Sequence, residues 1–235
     1  MQLELSDDDK KNYALVEVGK LMRICGRSLR EFETMPYPKD SYFQGSQNRL
    51  ILDELRYNRN LLREEHKSLL NNLNNEQRQV YDTIMDSIES GSGEFFFVYG
   101  YGGTGKTFVW RTLSAAIRSK GDIVLNVASS GIASLLLPGG RTAHSRFAIP
   151  LNPDEYSTCN IFQGSPTAEL VKRSKLIIWY EAPMMHKHCF EALDRTLRDI
   201  MGTEDLLFGG KTVVLGGDFR QILLGVCPRM PLRGC

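Results

Sequence analysis

The chain lacks three features that would mark it as a membrane, secreted or strongly basic protein. No apolar run in its 235 residues approaches the roughly 18 residues that cross a bilayer, so no membrane partner is expected. The N-terminal segment MQLELSDDDKKNY is acidic and has no basic stretch followed by an apolar one, as a secretory signal would. The net charge of +1 creates no overall basic field for nucleic acid, although a local groove can still hold a single strand.

Cysteine is scarce, and its spacing shows no pairs. An odd number of scattered cysteines without a C-x-x-C motif predicts reduced thiols in an intracellular compartment. His186, His188 and Cys189 lie close enough to suggest zinc, but three ligands without a second cluster favour an exposed helix face. The five cysteines are Cys25, Cys159, Cys189, Cys227 and Cys235.

The first 72 residues differ from the rest in polarity and in the pattern of their apolar residues. They are polar and predict helices, with Leu55, Leu62 and Leu69 at seven-residue spacing and Ile51 and Leu73 completing an apolar stripe. The length of the chain allows one large domain, or one domain with an appendage. We therefore expect residues 1–72 to form a helical N-terminal extension.

From about residue 73, apolar runs alternate with helix-like stretches. The runs are apolar throughout, which is typical of parallel strands buried on both faces. Strand, helix and strand in succession predict an α/β fold with a doubly wound parallel sheet, whose ligands bind at the carboxyl ends of the strands. The predicted strands are 95–100, 122–129, 175–181 and 211–218, and the predicted helices are 106–120, 131–137 and 186–201.

GYGGTGKT matches the phosphate-binding pattern G-x-x-x-x-G-K-[ST], after a predicted strand and before a predicted helix. Glycines let the backbone N–H groups of such a loop turn towards phosphate oxygens, and the helix N-terminus adds partial positive charge. Lys106 would reach the β- and γ-phosphates, and the Thr107 hydroxyl would ligate Mg²⁺. A nucleoside triphosphate is therefore predicted to bind Gly100, Tyr101, Gly102, Gly103, Thr104, Gly105, Lys106 and Thr107.

Gln77, upstream of this loop, has two compatible interpretations. Asn74 and Gln77 have the spacing of a helix-capping pair. In the second interpretation, the Gln77 amide would form hydrogen bonds with adenine and so select ATP.

Several motifs together resemble the Pif-type (petite integration frequency) DNA helicases of superfamily 1. Gln77, GYGGTGKT, ASSGIASLLLPGGRTAHSRF, WYEAPM and GGDFRQ occur in the order and spacing of that family. SSGIASLLLPGGRTAHSRFAIPL and FEALDRTLRDIM look closest to helicases of Helitron transposons and their plant relatives. The resemblance implies a P-loop NTPase of RecA-like fold that uses ATP and Mg²⁺ to unwind DNA in the 5′ to 3′ direction. It places a RecA-like ATP-binding domain 1A at 73–222 and a divergent tail at 223–235.

The resemblance also implies roles for individual residues. It assigns Lys106, Glu181 and Gln221 to catalysis, with Glu181 polarising the attacking water and Gln221, after Asp218, sensing the γ-phosphate. Without the resemblance, His144 and Phe147 would be a satisfied histidine and a core phenyl ring. The residues implied to contact single-stranded DNA are Ser129, Ser130, Gly131, Arg141, Thr142, His144 and Phe147.

The main departure from the family is Tyr180, since the family has Asp-Glu where this chain has Tyr180-Glu181. A phenol with a pKa of about 10 is neutral at pH 7 and a poor ligand for a hard cation. Thr107 and Glu181 remain as predicted metal ligands. In the family, the first acid holds Mg²⁺ and the second polarises the attacking water. Glu181 is not expected to perform both tasks, because adjacent strand residues point to opposite faces. We predict retained nucleotide binding and severely reduced hydrolysis.

The short C-terminus is a second departure. Only ILLGVCPRMPLRGC follows Gln221, so we expect the N-terminal half of a helicase, without the second RecA-like domain and without unwinding activity of its own. A catalytically inert ATP-binding and single-stranded-DNA-binding module is the alternative, and the motif set argues against an AAA-like ATPase. The resemblance, or the DNA substrate alone, implies four further expectations. These are single-stranded or forked DNA as partner, a monomeric state, a nuclear location, and roles in DNA repair, recombination and telomere maintenance.

Overall fold

The computed structural model describes residues 6–24, 29–32, 34–38 and 48–221. Helices precede the first strand: α1 (Asp7–Ile24), α2 (Arg49–Leu55), α3 (Arg59–Asn71) and α4 (Asn75–Ser90). Within these ranges, no helix is long and apolar enough to cross a membrane. The predicted tail at 223–235 lies outside the described residues, as do Cys25, Cys227 and Cys235.

The leucine stripe at seven-residue spacing is interrupted between two helices. Helix α2 ends at Leu55, and α3 begins after Asn58, whose side chain accepts hydrogen bonds from the backbone N–H groups of Asn60 and Leu61. An asparagine in this position satisfies N–H groups that have no partner inside the helix, and so fixes where the helix starts. The capping residue therefore overrides the apolar periodicity.

A five-stranded parallel sheet forms the centre of the molecule. Its strands are β1 (Phe95–Tyr99), β2 (Ile123–Ala128), β3 (Arg141–Thr142), β4 (Ser174–Tyr180) and β5 (Thr212–Gly217), in the order β1-β5-β4-β2-β3. Every neighbouring pair is parallel. The four longer strands lie within one residue of their predicted bounds, because their apolar runs match strands buried on both faces. The two-residue β3 carries too little apolar pattern to be predicted.

Five helices connect these strands within the described residues. They are α5 (Lys106–Lys120), α6 (Gly131–Ser134), α7 (Ala143–Phe147), α8 (Pro166–Arg173) and α9 (Lys187–Met201). The predicted bounds of α5 are confirmed, and those of α9 differ by one residue at its start. Helix α6 ends three residues before the predicted position 137. Helices α7 and α8 were not predicted, because each spans too few turns to show a clear periodicity.

The two faces of the sheet have separate apolar cores. On one face, Ile177 and Trp179 of β4 pack with residues of α9 such as Leu193. On the other face, Ile178 packs with residues of α4 and α5 such as Trp110. Adjacent β4 residues thus point to opposite layers, as expected for a strand between two helical layers.

Helix α2 is joined to the sheet unit by a buried ionic cluster. The Glu54 carboxylate accepts hydrogen bonds from Nη2 of Arg146 at 2.6 Å and Nη2 of Arg118 at 3.4 Å. All three residues are buried, and burial lowers the pKa of the Arg146 guanidinium while the Glu54 charge opposes that shift. Leu50 and Ile51 pack against the core beneath. The second half of the predicted N-terminal extension therefore packs on the α/β unit.

Candidate functional site

The phosphate-binding loop lies between β1 and α5 and depends on glycine at two positions. Gly105 has φ = 81°, in the left-handed region, and a Cβ there would lie 2.4 Å from Nε2 of Gln77. A Cβ on Gly100 would lie 2.7 Å from Oγ1 of Thr104. A side chain at either position would therefore displace a residue that shapes the loop.

Lys106, the predicted phosphate ligand, is held by carbonyl groups of its own loop. Its Nζ donates to the carbonyl oxygen of Gly100 at 2.5 Å and to that of Tyr101 at 3.0 Å. The Thr104 hydroxyl donates to the same Tyr101 carbonyl at 2.9 Å. The loop is thus closed on itself, and the ammonium group must leave these carbonyls to reach a phosphate.

Gln77 forms the capping pair and also contacts the phosphate loop. Its Oε1 accepts a hydrogen bond from the backbone N–H of Asn74 at 3.1 Å, and its own N–H donates to the Asn74 side chain at 2.8 Å. Its Nε2 donates to the carbonyl oxygen of Thr104 at 3.1 Å. The capping interpretation is confirmed. The amide lies beside the loop, and adenine recognition through it would require exchange of both side-chain contacts.

The order of the strands places the segment after β5 between the phosphate loop and Glu181. Strand β5 pairs with β1 on one side and with β4 on the other, so the carboxyl ends of all three strands meet there. Asp218 is buried, and its Oδ1 accepts a hydrogen bond from the backbone N–H of Arg220 at 3.0 Å. Gln221 ends a 3-10 turn that begins at Phe219, and the predicted contact of its side chain lies outside the described residues.

Tyr180 is the last residue of β4, and its side chain lies on the face covered by α5. Like Ile178, it packs against the core cluster that contains Val109 and Trp110 of that helix. Burial raises the pKa of the Tyr180 phenol; the Thr107 hydroxyl opposes the rise, and the Glu181 carboxylate adds to it. The phenol is therefore neutral at pH 7 and lies beside the threonine that the sequence assigned to Mg²⁺.

Glu181 does not continue the strand, although the predicted bounds of 175–181 include it. It has φ = 54° and ψ = 39°, a left-handed conformation that is uncommon outside glycine. Its carbonyl oxygen accepts from the Ser129 hydroxyl at 2.6 Å and from the Met184 N–H at 3.1 Å. The prediction that residues 180 and 181 point to opposite faces was wrong, because the chain turns at Glu181 and its carboxylate interacts with the Tyr180 phenol.

The predicted Mg²⁺ site, formed by Thr107 and Glu181, does not fit a cation held by two carboxylates. Mg²⁺ is held in phosphate sites by hard oxygen ligands, one or two of them carboxylates. Beside Thr107 the chain presents the neutral Tyr180 phenol instead. Position 180 thus presents a neutral phenol, and not a carboxylate, to the predicted metal site.

Of the first three predicted DNA contacts, two have structural tasks. The Ser129 hydroxyl donates to Glu181 and accepts from Nε1 of Trp179 at 3.1 Å, so it joins the ends of β2 and β4. The Ser130 hydroxyl caps α6 by accepting from the N–H of Ala133. Gly131 is exposed with open space around its Cα, which leaves its backbone accessible.

The second group of predicted DNA contacts is divided between surface and core. Arg141 is exposed and His144 is half-buried, while the Thr142 hydroxyl caps α7. Phe147 has no exposed surface, and its ring centroid lies 6.2 Å from that of Trp179. Its predicted stacking on a DNA base is contradicted, because the phenyl ring belongs to the core beneath β4.

Arg220 is a residue of the site that the sequence did not single out. Its guanidinium lies 4.1 Å from the centroid of the Tyr101 ring, and Tyr99 meets the same ring edge-on at 5.6 Å. An exposed cation is thus held against the phosphate loop by a cation–π contact. An arginine in GGDFRQ and a tyrosine in GYGGTGKT give no local sign of this contact.

Two other predicted features belong to the start of α9. His186 caps α9, accepting through Nδ1 from the backbone N–H of His188 at 3.3 Å. Cys189 is buried beneath that helix, so the expected exposed face does not include its thiol. Burial raises the pKa of Cys189, and it raises that of Cys159 to about 11.

Comparison with known proteins places this site in a family. The family model of PIF1-like helicases matches residues 72–229. The chain is 31% identical to the ATP-dependent DNA helicase PIF4 of Trypanosoma brucei brucei over 156 residues, which are 64% of this chain and 18% of that protein. It is 31% identical to the ATP-dependent DNA helicase PIF1 of the same organism over 165 residues, 68% of this chain and 15% of the other. The matched region thus spans less than a fifth of these relatives.

Solved helicase structures share the fold. A Pif1 helicase described in a study of forked DNA unwinding by two coordinating Pif1 helicases aligns with a TM-score of 0.53 at 30% identity, over 63% of this chain and 33% of that chain. Pif1 helicase from Bacteroides, in complex with ADP-AlF3 and ssDNA, aligns with a TM-score of 0.53 at 29% identity, over 64% of this chain and 33% of that one. The predicted RecA-like P-loop α/β fold is confirmed. The chain belongs to the PIF1-like helicase family.

Proposed function

We propose that this chain binds ATP and single-stranded DNA as the first RecA-like domain of a helicase that moves 5′ to 3′, and that its hydrolysis is severely reduced. The observation that carries the proposal is the position of Tyr180. Its phenol lies at the carboxyl end of β4, on the side of Thr107, beside an otherwise intact phosphate loop. The Helitron branch is part of the proposal and rests on the sequence segments that resemble it.

The phosphate loop supports ATP binding through backbone and side-chain donors. The N-terminus of α5 supplies N–H groups without partners inside the helix, which favour an anion. Lys106 already lies within the loop and needs to exchange two carbonyl contacts for phosphate oxygens. The related Bacteroides helicase was solved with ADP-AlF3 and ssDNA, which supports both ligands for this chain.

Single-stranded DNA is proposed to lie across the ends of β2 and β3. Arg141 is exposed there, the Gly131 backbone is open, and His144 is half-buried. A guanidinium and backbone N–H groups are suited to phosphate oxygens, which give binding without sequence preference. Because Ser129 and Phe147 serve the protein interior, we propose a contact made mainly to the DNA backbone.

Weak hydrolysis follows from the two side chains at the proposed γ-phosphate position, Glu181 and Tyr180. Glu181 is available to orient an attacking water, and its left-handed turn brings the carboxylate to the Tyr180 phenol. A neutral phenol supplies no anionic ligand next to Thr107. Loss of one preorganised electrostatic element costs roughly 10²–10³ in rate. The chain is therefore proposed to bind nucleotide far better than it hydrolyses it.

Exchange of Tyr180 for the family residue tests this proposal. Phosphate release is measured for the wild type, Tyr180→Asp and Tyr180→Phe, with and without single-stranded DNA. We expect Tyr180→Asp to raise the rate by roughly 10²-fold, and Tyr180→Phe to stay at the wild-type level. Failure of Tyr180→Asp to raise phosphate release would sink the explanation.

The same assay, together with a measurement of nucleotide binding, separates the two functional alternatives. DNA-stimulated phosphate release by the wild type supports a working helicase motor. ATP binding without release supports the inert ATP- and DNA-binding module. A nuclear location and a monomeric state remain proposals based on the family, as do roles in repair, recombination and telomere maintenance.

A further inference from the structure

We propose that nucleotide binding by this chain is nearly independent of Mg²⁺, with Lys106 and Arg220 supplying the positive charge that the phosphates need. This inference rests on the proposed ATP binding and deepens it. It follows from the disagreement between the residues beside Thr107 and the metal that the family implies.

The first step concerns the charge at position 180. A carboxylate there would face the phosphates from the side of α5, and two anionic groups at close range repel each other unless a cation lies between them. The Tyr180 phenol occupies that side, packed with Ile178 against α5. Because the phenol carries no charge, it neither recruits a divalent cation nor repels a nucleotide that arrives without one.

The second step concerns the remaining carboxylates. Glu181 leaves the strand in a left-handed conformation beside the phenol. Asp218 is buried, and its Oδ1 accepts a hydrogen bond from the N–H of Arg220. At position 180 the residue beside Thr107 is a phenol and not a carboxylate, so the pair of hard ligands expected for Mg²⁺ is incomplete.

The third step concerns the cations that the chain itself provides. Lys106 lies in the loop, with its Nζ on the carbonyls of Gly100 and Tyr101. Arg220 lies on the ring of Tyr101, at the end of the strand next to β1. Guanidinium groups match phosphate oxygens in geometry, and an exposed arginine on a surface ring can turn towards a phosphate at low cost. One cation thus lies in the loop at the start of α5, and a second lies beside the loop in the turn that follows β5.

Equilibrium binding of a fluorescent ATP analogue tests the inference on the full chain. Its dissociation constant is measured in excess MgCl₂ and in EDTA for the wild type, Tyr180→Asp and Tyr180→Asn. The Asp and Asn side chains have nearly the same size and shape, and only the Asp side chain carries a negative charge. We expect the two constants to agree within about threefold for the wild type and Tyr180→Asn, and Tyr180→Asp to bind about tenfold or more weakly in EDTA than in Mg²⁺.

Arg220→Ala tests the proposed cation, with Arg56→Ala as the matched control. Arg56 is an exposed arginine paired with Asp53, remote in sequence from the phosphate loop. We expect Arg220→Ala to weaken binding in EDTA by about fivefold or more, and Arg56→Ala to leave it unchanged. Equal constants for the two variants would overturn the role of Arg220.

The outcomes separate this inference from the function on which it rests. If the wild type binds no nucleotide in either buffer, the proposed ATP binding fails, and this inference fails with it. If it binds about tenfold or more tightly in Mg²⁺ than in EDTA, ATP binding stands and the inference is overturned. If Tyr180→Asp and Tyr180→Asn respond alike to Mg²⁺, the charge at position 180 is not the cause, and the argument from Tyr180 is refuted.

Discussion

Replacement of Glu54 by alanine is expected to lower the free energy of unfolding by about 3–5 kcal/mol, the cost of removing one partner from a buried ionic cluster. Glu54 is 8% exposed, Arg118 3% and Arg146 7%. Without the carboxylate, two guanidinium groups lose their shared counter-charge in the interior. The Nε atoms of both arginines already make no hydrogen bond within the described structure, although Arg118 also donates to the carbonyl oxygens of Pro138 and Val124.

Thermal and urea unfolding followed by circular dichroism measure this cost. A loss of this size lowers the melting temperature by about 6–20 °C in a domain of this length. Glu54→Gln keeps an acceptor oxygen but not the charge, so an intermediate loss is expected. Glu64→Ala is the control, because Glu64 pairs with Lys67 at the surface and contributes at most about 0.5 kcal/mol. If Glu54→Ala is no less stable than Glu64→Ala, the buried cluster does not hold α2 to the sheet unit and the reasoning is wrong.

Two further predictions concern single hydrogen bonds. Ser129→Ala should lower the free energy of unfolding by about 1–3 kcal/mol, because Nε1 of Trp179 loses its acceptor in the core; an unchanged urea midpoint would exclude the bridging role. Burial lowers the pKa of His66, whose Nε2 lies 2.9 Å from the hydroxyl of Tyr81, so the folded chain binds fewer protons there than the unfolded chain. The contribution of neutral His66 to the free energy of unfolding should be complete above the ordinary pKa of about 6.5 and be lost as the pH falls below it. The urea midpoints of His66→Phe should lack this component of the pH dependence.

The sequence predicted those parts of the fold that are encoded locally. Strands such as β2 and β4 were visible because burial on both faces requires an unbroken apolar run. The phosphate loop was visible because glycine, lysine and threonine must follow one another at fixed spacing between a strand and a helix. The capping pair of Asn74 and Gln77 was visible for the same reason, since three residues separate its members.

The parts that were missed depend on contacts between distant segments. Glu54 meets Arg118 and Arg146 across 64 and 92 residues, and no local pattern marks such a triad. Phe147 was assigned to DNA by resemblance, and only the packing of α7 against Trp179 shows that its ring is inside. The turn at Glu181 was missed because strand periodicity says nothing about where the chain leaves the sheet.

The strand order also bears on synthesis of the chain. Strand β1 precedes the other four in sequence, yet its neighbour in the sheet is β5, the last of them, with Phe95 paired to Val213. On the ribosome, the segment FFFVY therefore emerges long before its partner and remains an unpaired, aromatic-rich edge, which is prone to pair with other chains. At the end of β1, the Gly100 N–H donates to the Gly217 carbonyl oxygen of β5 at 3.4 Å. We therefore expect the phosphate loop to take its final shape once β5 is in place, so that capture of nucleotide by nascent chains would report completion of the sheet.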